Sequence, residues 1–156
     1  MNTCNLGLSQ KALKAEVVLL NAILSDETVL YIKTLNYHWN VEGPHFGELH
    51  KFFAAQYEEV ADIMDAVAER ARALGGNACG SMKEFLSLAR LKESLSAAHA
   101  KAMIQNLLLD HEALIKTLRK DLEKCATHYQ DLGTSDFLTG MMEKHEKMAW
   151  MLRAYL

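Results

Sequence analysis

The chain has 156 residues, of which 50% are hydrophobic and 24% are charged, which is typical of one compact domain over residues 1–156. Its 17 lysines and arginines stand against 20 aspartates and glutamates, so it lacks the basic excess of most nucleic-acid-binding proteins. No apolar run approaches the roughly 18 to 20 residues of a membrane span, and the first residues lack a signal-peptide core. Three widely spaced cysteines without a CxxC pair argue against disulfides or a zinc finger, so we expect a cytoplasmic protein.

The first half of the chain predicts two long helices. One proline and eight glycines leave few breaks, and apolar residues recur at helical spacing, so the sequence predicts an all-α protein. The first helix covers about 10–39, with Ser9 as its N-cap, and ends at the Gly-Pro turn within 41–44. The second helix covers about 46–74 and stops at two consecutive glycines.

The second half predicts one short helix and two more long ones. Ser81 and Glu84 have the spacing of a capping box, which predicts a short helix that ends near Arg90. A third long helix is predicted over about 96–129, and a fourth is capped by a hydroxyl residue at 134 or 135. The connection between the second and third long helices can run the length of a bundle. The sequence therefore predicts a ferritin-like four-helix bundle with a short extra helix in the crossover between helices 2 and 3.

An ordinary di-iron centre within one bundle is not expected. Such centres use a Glu-x-x-His on each of two helices and a further glutamate on each of the others. The one Glu-x-x-His in this chain is Glu42–His45, and the Gly-Pro pair inside it prevents its two ends from sharing a helical face.

Four other residues form a more specific metal-binding pattern. His38 ends the first helix and His50 lies in the second turn of the second helix, whereas Asp65 and Glu69 lie one turn apart further along it. His50 and Asp65 are about 22 Å apart along the helix axis, so one ion cannot bind both within a chain. They project from nearly the same side, about 60° apart. If the helix packs antiparallel on its copy across a two-fold axis, His50 of one chain meets Asp65 of the other, which creates two identical sites.

A second stripe of small and apolar residues on the second helix independently predicts this contact. A helix with apolar residues on two faces is usually buried on both, and in a chain of this size a second subunit supplies the extra burial. The stripe consists of His50, Ala54, Tyr57, Ala61, Asp65 and Ala68.

Three sequence runs resemble the Dps family of mini-ferritins. They are LNYHWNVEGPHFGELHKFF, MDAVAERARALGG and the weaker block TSDFLTG. The resemblance implies a homo-oligomeric shell of twelve subunits, in which His38 and His50 of one subunit and Asp65 and Glu69 of its two-fold mate form a ferroxidase site. It further implies oxidation of Fe(II) by hydrogen peroxide, storage of ferric mineral and protection against oxidative stress. Zinc and cobalt would compete for such nitrogen and oxygen ligands. Trp39 is a possible accessory residue that quenches oxidising equivalents, although packing at the interface also explains it.

One expected ligand of the family pattern is missing. The family has an aspartate four residues after the second histidine, where this chain has Ala54. We therefore expect a first metal position at His38, Asp65 and Glu69 and a weaker second position near His50. Glu58 is about 80° away around the helix and is a doubtful replacement. The alternative is a non-catalytic shell that buffers metal or protects DNA.

Several residues also have ordinary structural interpretations. Taken singly, Asp65 and Glu69 are solvated helix charges, and a stand-alone interaction module would leave the second stripe exposed. His111 and His145 are predicted as hydrogen-bonded core or interface residues. Asp131 and Asp136 fit helix capping and solvated charge at least as well as an iron-entry pore. Only two lysines precede residue 16, so we expect weak or absent DNA binding at physiological salt.

Overall fold

The computed structural model describes residues 4–94 and 99–156. These ranges contain no strand, one π-helical turn (Cys125–Tyr129) and five α-helices. The α-helices are α1 (Gln10–Asn40), α2 (Phe46–Ala73), α3 (Met82–Leu88), α4 (Ala100–Lys124) and α5 (Leu132–Arg153). None of the helices described is long and apolar enough to cross a bilayer.

The four long helices form the predicted bundle. The most extensive contacts join α1 to α2 and α4 to α5, and α3 in the crossover contacts α1. The two pairs close over one hydrophobic core, whose largest fully buried side chains include Tyr37, Phe53, Leu20, Leu114 and Leu138. The ferritin-like architecture with a short extra helix is therefore confirmed.

Two predicted helix starts are confirmed in detail and one is wrong. The Ser9 side chain caps α1 by accepting from the Ala12 N–H, and Ser81 forms the capping box of α3 with Glu84. The predicted start of the third long helix, at about 96, lies outside the described residues, within which α4 begins at Ala100. α5 begins at Leu132 because Asp131, not a later hydroxyl residue, accepts from the N–H of residue 134.

Two glycines are required where α2 ends. Gly75 has φ +86°, a left-handed conformation that disfavours side chains. A Cβ at Gly76 would overlap the Val17 side chain of α1. The double glycine therefore both terminates α2 and allows close approach to α1.

A buried carboxylate holds the crossover against the bundle. Asp26 is only 1% exposed, and it accepts from the backbone N–H groups of Arg90 and Leu91 at 2.5 and 2.9 Å and from the Arg90 guanidinium at 2.7 Å. Lys33 of α1 donates to the Lys92 carbonyl oxygen at 2.8 Å nearby. These contacts satisfy buried charges that would otherwise be costly.

A second buried carboxylate lies near the joint between α4 and α5. Glu16 has no exposed surface, and neither of its oxygens has a hydrogen-bond partner. Burial, followed by the negative charge of Asp131, raises the pKa of Glu16 from 4.5 to about 7. Burial also raises the pKa of the neighbouring Cys125 thiol to about 12, so this cysteine remains protonated.

We predict that Glu16→Gln removes a pH dependence of stability. The folded pKa of Glu16 exceeds its ordinary value, so the native state binds the extra proton and loses stability as pH rises from about 4.5 to about 7. At pH 8 the free energy of unfolding of the variant should exceed that of the natural chain by up to about 3 kcal/mol. At pH 4.5 the two should differ little. Urea unfolding across this range measures the effect. Glu58→Gln, which changes an exposed α2 carboxylate, is the matched control, and identical pH profiles for Glu16→Gln and the natural chain would contradict the assignment.

Candidate metal centre

The turn between α1 and α2 brings His38 and His50 together. The Gly43 backbone has φ +110°, which lets the chain reverse within a few residues and lays α2 along α1. The two imidazole rings stack with centroids 3.8 Å apart and an interplanar angle of 20°. The two predicted histidine ligands therefore lie side by side.

Each histidine is held by the backbone of the other. His38 Nδ1 lies 2.7 Å from the His50 carbonyl oxygen, and His50 Nδ1 lies 2.8 Å from the His38 carbonyl oxygen. A carbonyl oxygen only accepts, so both Nδ1 atoms carry a proton and donate it. In neutral rings the lone pairs are then on Nε2, and neither Nε2 has a hydrogen-bond partner in the described chain. A metal-ligating histidine needs its other nitrogen anchored in this way.

Aromatic side chains fix the two rings from the flanks. Phe46, one turn before His50, stacks on that ring at 5.2 Å, and Tyr57 meets the His38 ring edge-on at 5.2 Å. Tyr31 in turn contacts Tyr57 at 5.9 Å. The sequence analysis did not assign Phe46 this role, although its four-residue spacing from His50 on a helix was the available signal.

The two predicted acidic ligands lie elsewhere on the same chain. Asp65 and Glu69 are exposed on α2, and within the described part of the chain neither forms a hydrogen bond or an ion pair. Across residues 4–94 and 99–156, no group of three or more His, Cys, Asp or Glu side chains is placed to hold a metal ion. One chain therefore presents a histidine pair and a carboxylate pair that are separate from each other.

Among the described residues, no other side chain near the α1–α2 turn joins the histidine pair in a group of three possible ligands. Ala54, one turn after His50, is half-buried and offers no donor atom. His45 and Glu48 face each other at 3.7 Å, with their side chains 74% and 73% exposed. Glu58 is exposed, as is Trp39, at 66%.

Histidines in the bundle interior form a separate pair. His111 and His145 are fully buried, and their Nδ1 atoms are 3.0 Å apart. Burial and the neighbouring His145 hold the pKa of His111 well below its usual range. Their prediction as hydrogen-bonded core residues is confirmed.

The capping interpretation of Asp131 is confirmed as well. Its carboxylate accepts from the Thr134 N–H at 3.0 Å and from the Arg70 guanidinium at 3.1 Å. Asp131 is 6% exposed, whereas Asp136 is exposed on α5.

Comparison with known proteins agrees with this geometry. A family model described as "Ferritin-like domain" matches residues 17–156. An uncharacterised low temperature-induced protein of Nostoc sp. is 45% identical over the whole chain, which covers 88% of that relative. "DNA protection during starvation protein 2" of Bacillus anthracis is 38% identical over 92% of the chain and 97% of its own length.

Solved structures give the same result. One similar structure is the crystal structure of a Dps protein from Vibrio cholerae, which is described as a member of a superfamily of ferritin-like diiron-carboxylate proteins. It has a TM-score of 0.92 and 30% sequence identity to this chain, and the match covers 99% of this chain and 98% of that one. A Dps protein from Bacillus brevis has a TM-score of 0.89 at 32% identity, over 95% and 99% of the two chains.

The fold and the similarity to these known proteins together show that the chain is a ferritin-like helical bundle protein. Within that class, the chain belongs to the Dps family of mini-ferritins. Membership identifies it, in general terms, as an iron-storage mini-ferritin whose cargo is iron.

We predict that both imidazoles are Nδ1–H tautomers in metal-free protein at a pH where the rings are neutral, because both Nδ1 atoms donate to carbonyl oxygens. Long-range ¹H–¹⁵N correlation spectra of protein labelled at histidine distinguish the tautomers, and His38→Ala and His50→Ala assign the signals. Exposed His128 provides an internal reference. Nε2–H tautomers at positions 38 and 50 would contradict the reciprocal contacts.

Proposed function

We propose that the chain oxidises Fe(II) at sites shared between two-fold-related subunits and stores ferric iron inside a hollow shell of twelve copies. His38 and His50 of one subunit and Asp65 and Glu69 of its mate are the proposed ligands. The observation that carries the proposal is the stacked histidine pair, whose two Nε2 atoms have no partner in the described chain. The unpaired, exposed carboxylates of α2 supply the complementary half.

The ligand set suits oxidation of iron. Neutral imidazole nitrogens and carboxylate oxygens bind Fe(II), and zinc and cobalt compete for the same donors. The two carboxylates from the mate stabilise Fe(III) more than Fe(II), because the more highly charged ion is attracted more strongly. Two Fe(II) ions each give one electron to hydrogen peroxide, which takes up two protons and leaves as two waters. Removing both reagents together would protect against oxidative stress.

Exposed apolar side chains support assembly into a homo-oligomer. Val18, Trp39, Leu109, Leu132 and Trp150 are 62–74% exposed in the single chain. Scattered exposed apolar residues are ordinary in a monomer, but large ones on several helices fit a subunit with several interfaces. Trp39 follows His38 directly, so in the proposed dimer it lies near the metal ligands, where packing or quenching of oxidising equivalents are its candidate roles.

Ala54 favours a second candidate function, a shell that stores or buffers metal without rapid oxidation. A methyl group cannot bind iron, so the metal position nearer His50 has fewer ligands than the family pattern provides. DNA protection belongs to the same alternative, but the net charge of −3 supports weak or absent DNA binding at physiological salt.

We predict that Ala54→Asp increases the initial rate of iron oxidation by about 10-fold or more, because it restores a carboxylate one turn from His50. Fe(II) is added anaerobically, hydrogen peroxide follows, and ferric absorbance is recorded. The natural chain should oxidise iron faster than buffer, and His50→Ala should fall towards the buffer rate.

The matched control is Ala55→Asp, which adds the same charge at the adjacent, exposed position of α2 and should leave the rate unchanged. If the natural chain is no faster than buffer while Ala54→Asp is active, the ferroxidase proposal fails and the non-catalytic shell stands.

A further inference from the structure

Four fully buried polar side chains lie inside the bundle, one from each long helix, and three of them are joined by contacts through His145. They are Glu27 of α1, Gln56 of α2, His111 of α4 and His145 of α5, and none is more than 3% exposed. We call them the interior cluster. They are distinct from the histidine pair, which lies at the end of α1.

Five buried polar atoms of the interior cluster form no hydrogen bond with the described residues. The following buried atoms have no hydrogen-bond partner among residues 4–94 and 99–156: both carboxylate oxygens of Glu27, Oε1 of Gln56 and the Nε2 atoms of both histidines. Leaving each such group unpaired costs about 1–3 kcal/mol. Native cores contain few such groups, and a bound ion is one way to compensate five of them at once.

The closest contact in the interior cluster has the spacing of two metal ligands. His145 Nε2 lies 2.9 Å from Glu27 Oε1, yet the two atoms are not aligned as a hydrogen bond. If two ligand atoms each lie about 2.1 Å from an ion and the angle between the two bonds is about 90°, the ligand atoms are about 3 Å apart. A cation placed off the line between these atoms satisfies both, whereas a proton must lie close to that line.

The other two members of the interior cluster both contact α5 at or near His145. Gln56 Nε2 donates to the Met148 carbonyl oxygen at 3.4 Å, within one turn of His145, so its unpaired Oε1 belongs to the same part of the core. His111 Nδ1 lies 3.0 Å from His145 Nδ1, on the side of the ring opposite Nε2. That contact fixes the ring of a metal-binding histidine, as outer hydrogen bonds commonly do.

The charge balance of the core also favours a cation. An isolated buried carboxylate is expensive, and the lysine and arginine side chains packed near the core are already paired, so among the described residues Glu27 has only the His145 ring, 2.9 Å away, as a basic neighbour. Lys33 pairs with Asp110, Arg70 with Asp131, and Arg90 with Asp26. Among the described residues, none of these cations contacts Glu27.

We propose that the interior cluster binds one divalent transition-metal ion within each chain, through the Glu27 carboxylate, His145 Nε2 and Gln56 Oε1. Iron, zinc and cobalt are the class of ion that prefers such a mixture of nitrogen and oxygen ligands. The site has only two strong ligands, Glu27 and His145, and one neutral amide oxygen. That agrees with the finding that the described residues contain no group of three His, Cys, Asp or Glu placed around one ion.

The experiment uses Co(II) as the probe, in a chain that lacks the interface histidines. In the His38→Ala/His50→Ala background, calorimetry and the visible absorbance of bound Co(II) should show about one ion per chain. Adding Glu27→Gln should weaken this binding at least 10-fold. Glu16→Gln, a change at the other fully buried glutamate of α1, is the matched control and should leave it unchanged.

A gain-of-function variant keeps the test decisive if Glu27→Gln fails to fold. Gln56→Glu replaces the neutral amide with a third strong ligand and should bind Co(II) at least 10-fold more tightly than the background. The proposal is overturned if the background binds no Co(II), if binding survives Glu27→Gln unchanged, or if Gln56→Glu binds no more tightly. Because the background lacks both interface histidines, these outcomes do not depend on the ferroxidase proposal.

Discussion

The reciprocal contact between His38 and His50 is the interaction on which the proposed site depends. Each ring donates from Nδ1 to the carbonyl oxygen of the other residue, so one turn of chain fixes both rings. The stacking distance of 3.8 Å follows from these two bonds. Because the inner nitrogens are used by the backbone, the outer nitrogens are the ones left for metal. The orientation of the two rings is therefore set by backbone carbonyl groups of α1 and α2, and not by side chains alone.

Much of the fold follows from local sequence signals. Ser9, the Ser81–Glu84 capping box and the double glycine after α2 mark helix ends, and each is found where the sequence predicted it. The long crossover distinguished a ferritin-like bundle from a simple up-down one. These features are readable because helix caps and glycine conformations depend on residues close together in the chain.

The core face of α1 was harder to predict. Tyr31 and Leu35 continue the apolar spacing of this helix in the sequence, but the structure leaves both only half-buried. The buried face instead passes through Glu16, Glu27 and Thr34, which look like surface residues in a hydropathy pattern. Their burial depends on partners from α4, α5 and the crossover, and a single sequence does not reveal such contacts. The same limit explains why the interior cluster was not predicted from the sequence.

The candidate site divides along similar lines. Spacing alone places His38 and His50 at neighbouring helix ends and shows that His50 and Asp65 are too distant to share an ion within a chain. Spacing does not give the ring contacts with Phe46 and Tyr57, because those depend on how α2 turns back on α1. In the proposed dimer, the residue opposite each histidine comes from a second copy of the chain, and one sequence alone does not give that contact.

Complementation between two inactive subunits tests the shared site most directly. One variant carries His38→Ala and His50→Ala, the other Asp65→Asn and Glu69→Gln, and each alone should lack rapid iron oxidation. In a mixed two-fold dimer, one site receives intact histidines from one subunit and intact carboxylates from its mate. Co-assembly of equal amounts should therefore restore about a quarter of the natural activity, since half of randomly formed dimers are mixed and each has one intact site. Mixed shells as inactive as either parent would contradict the account.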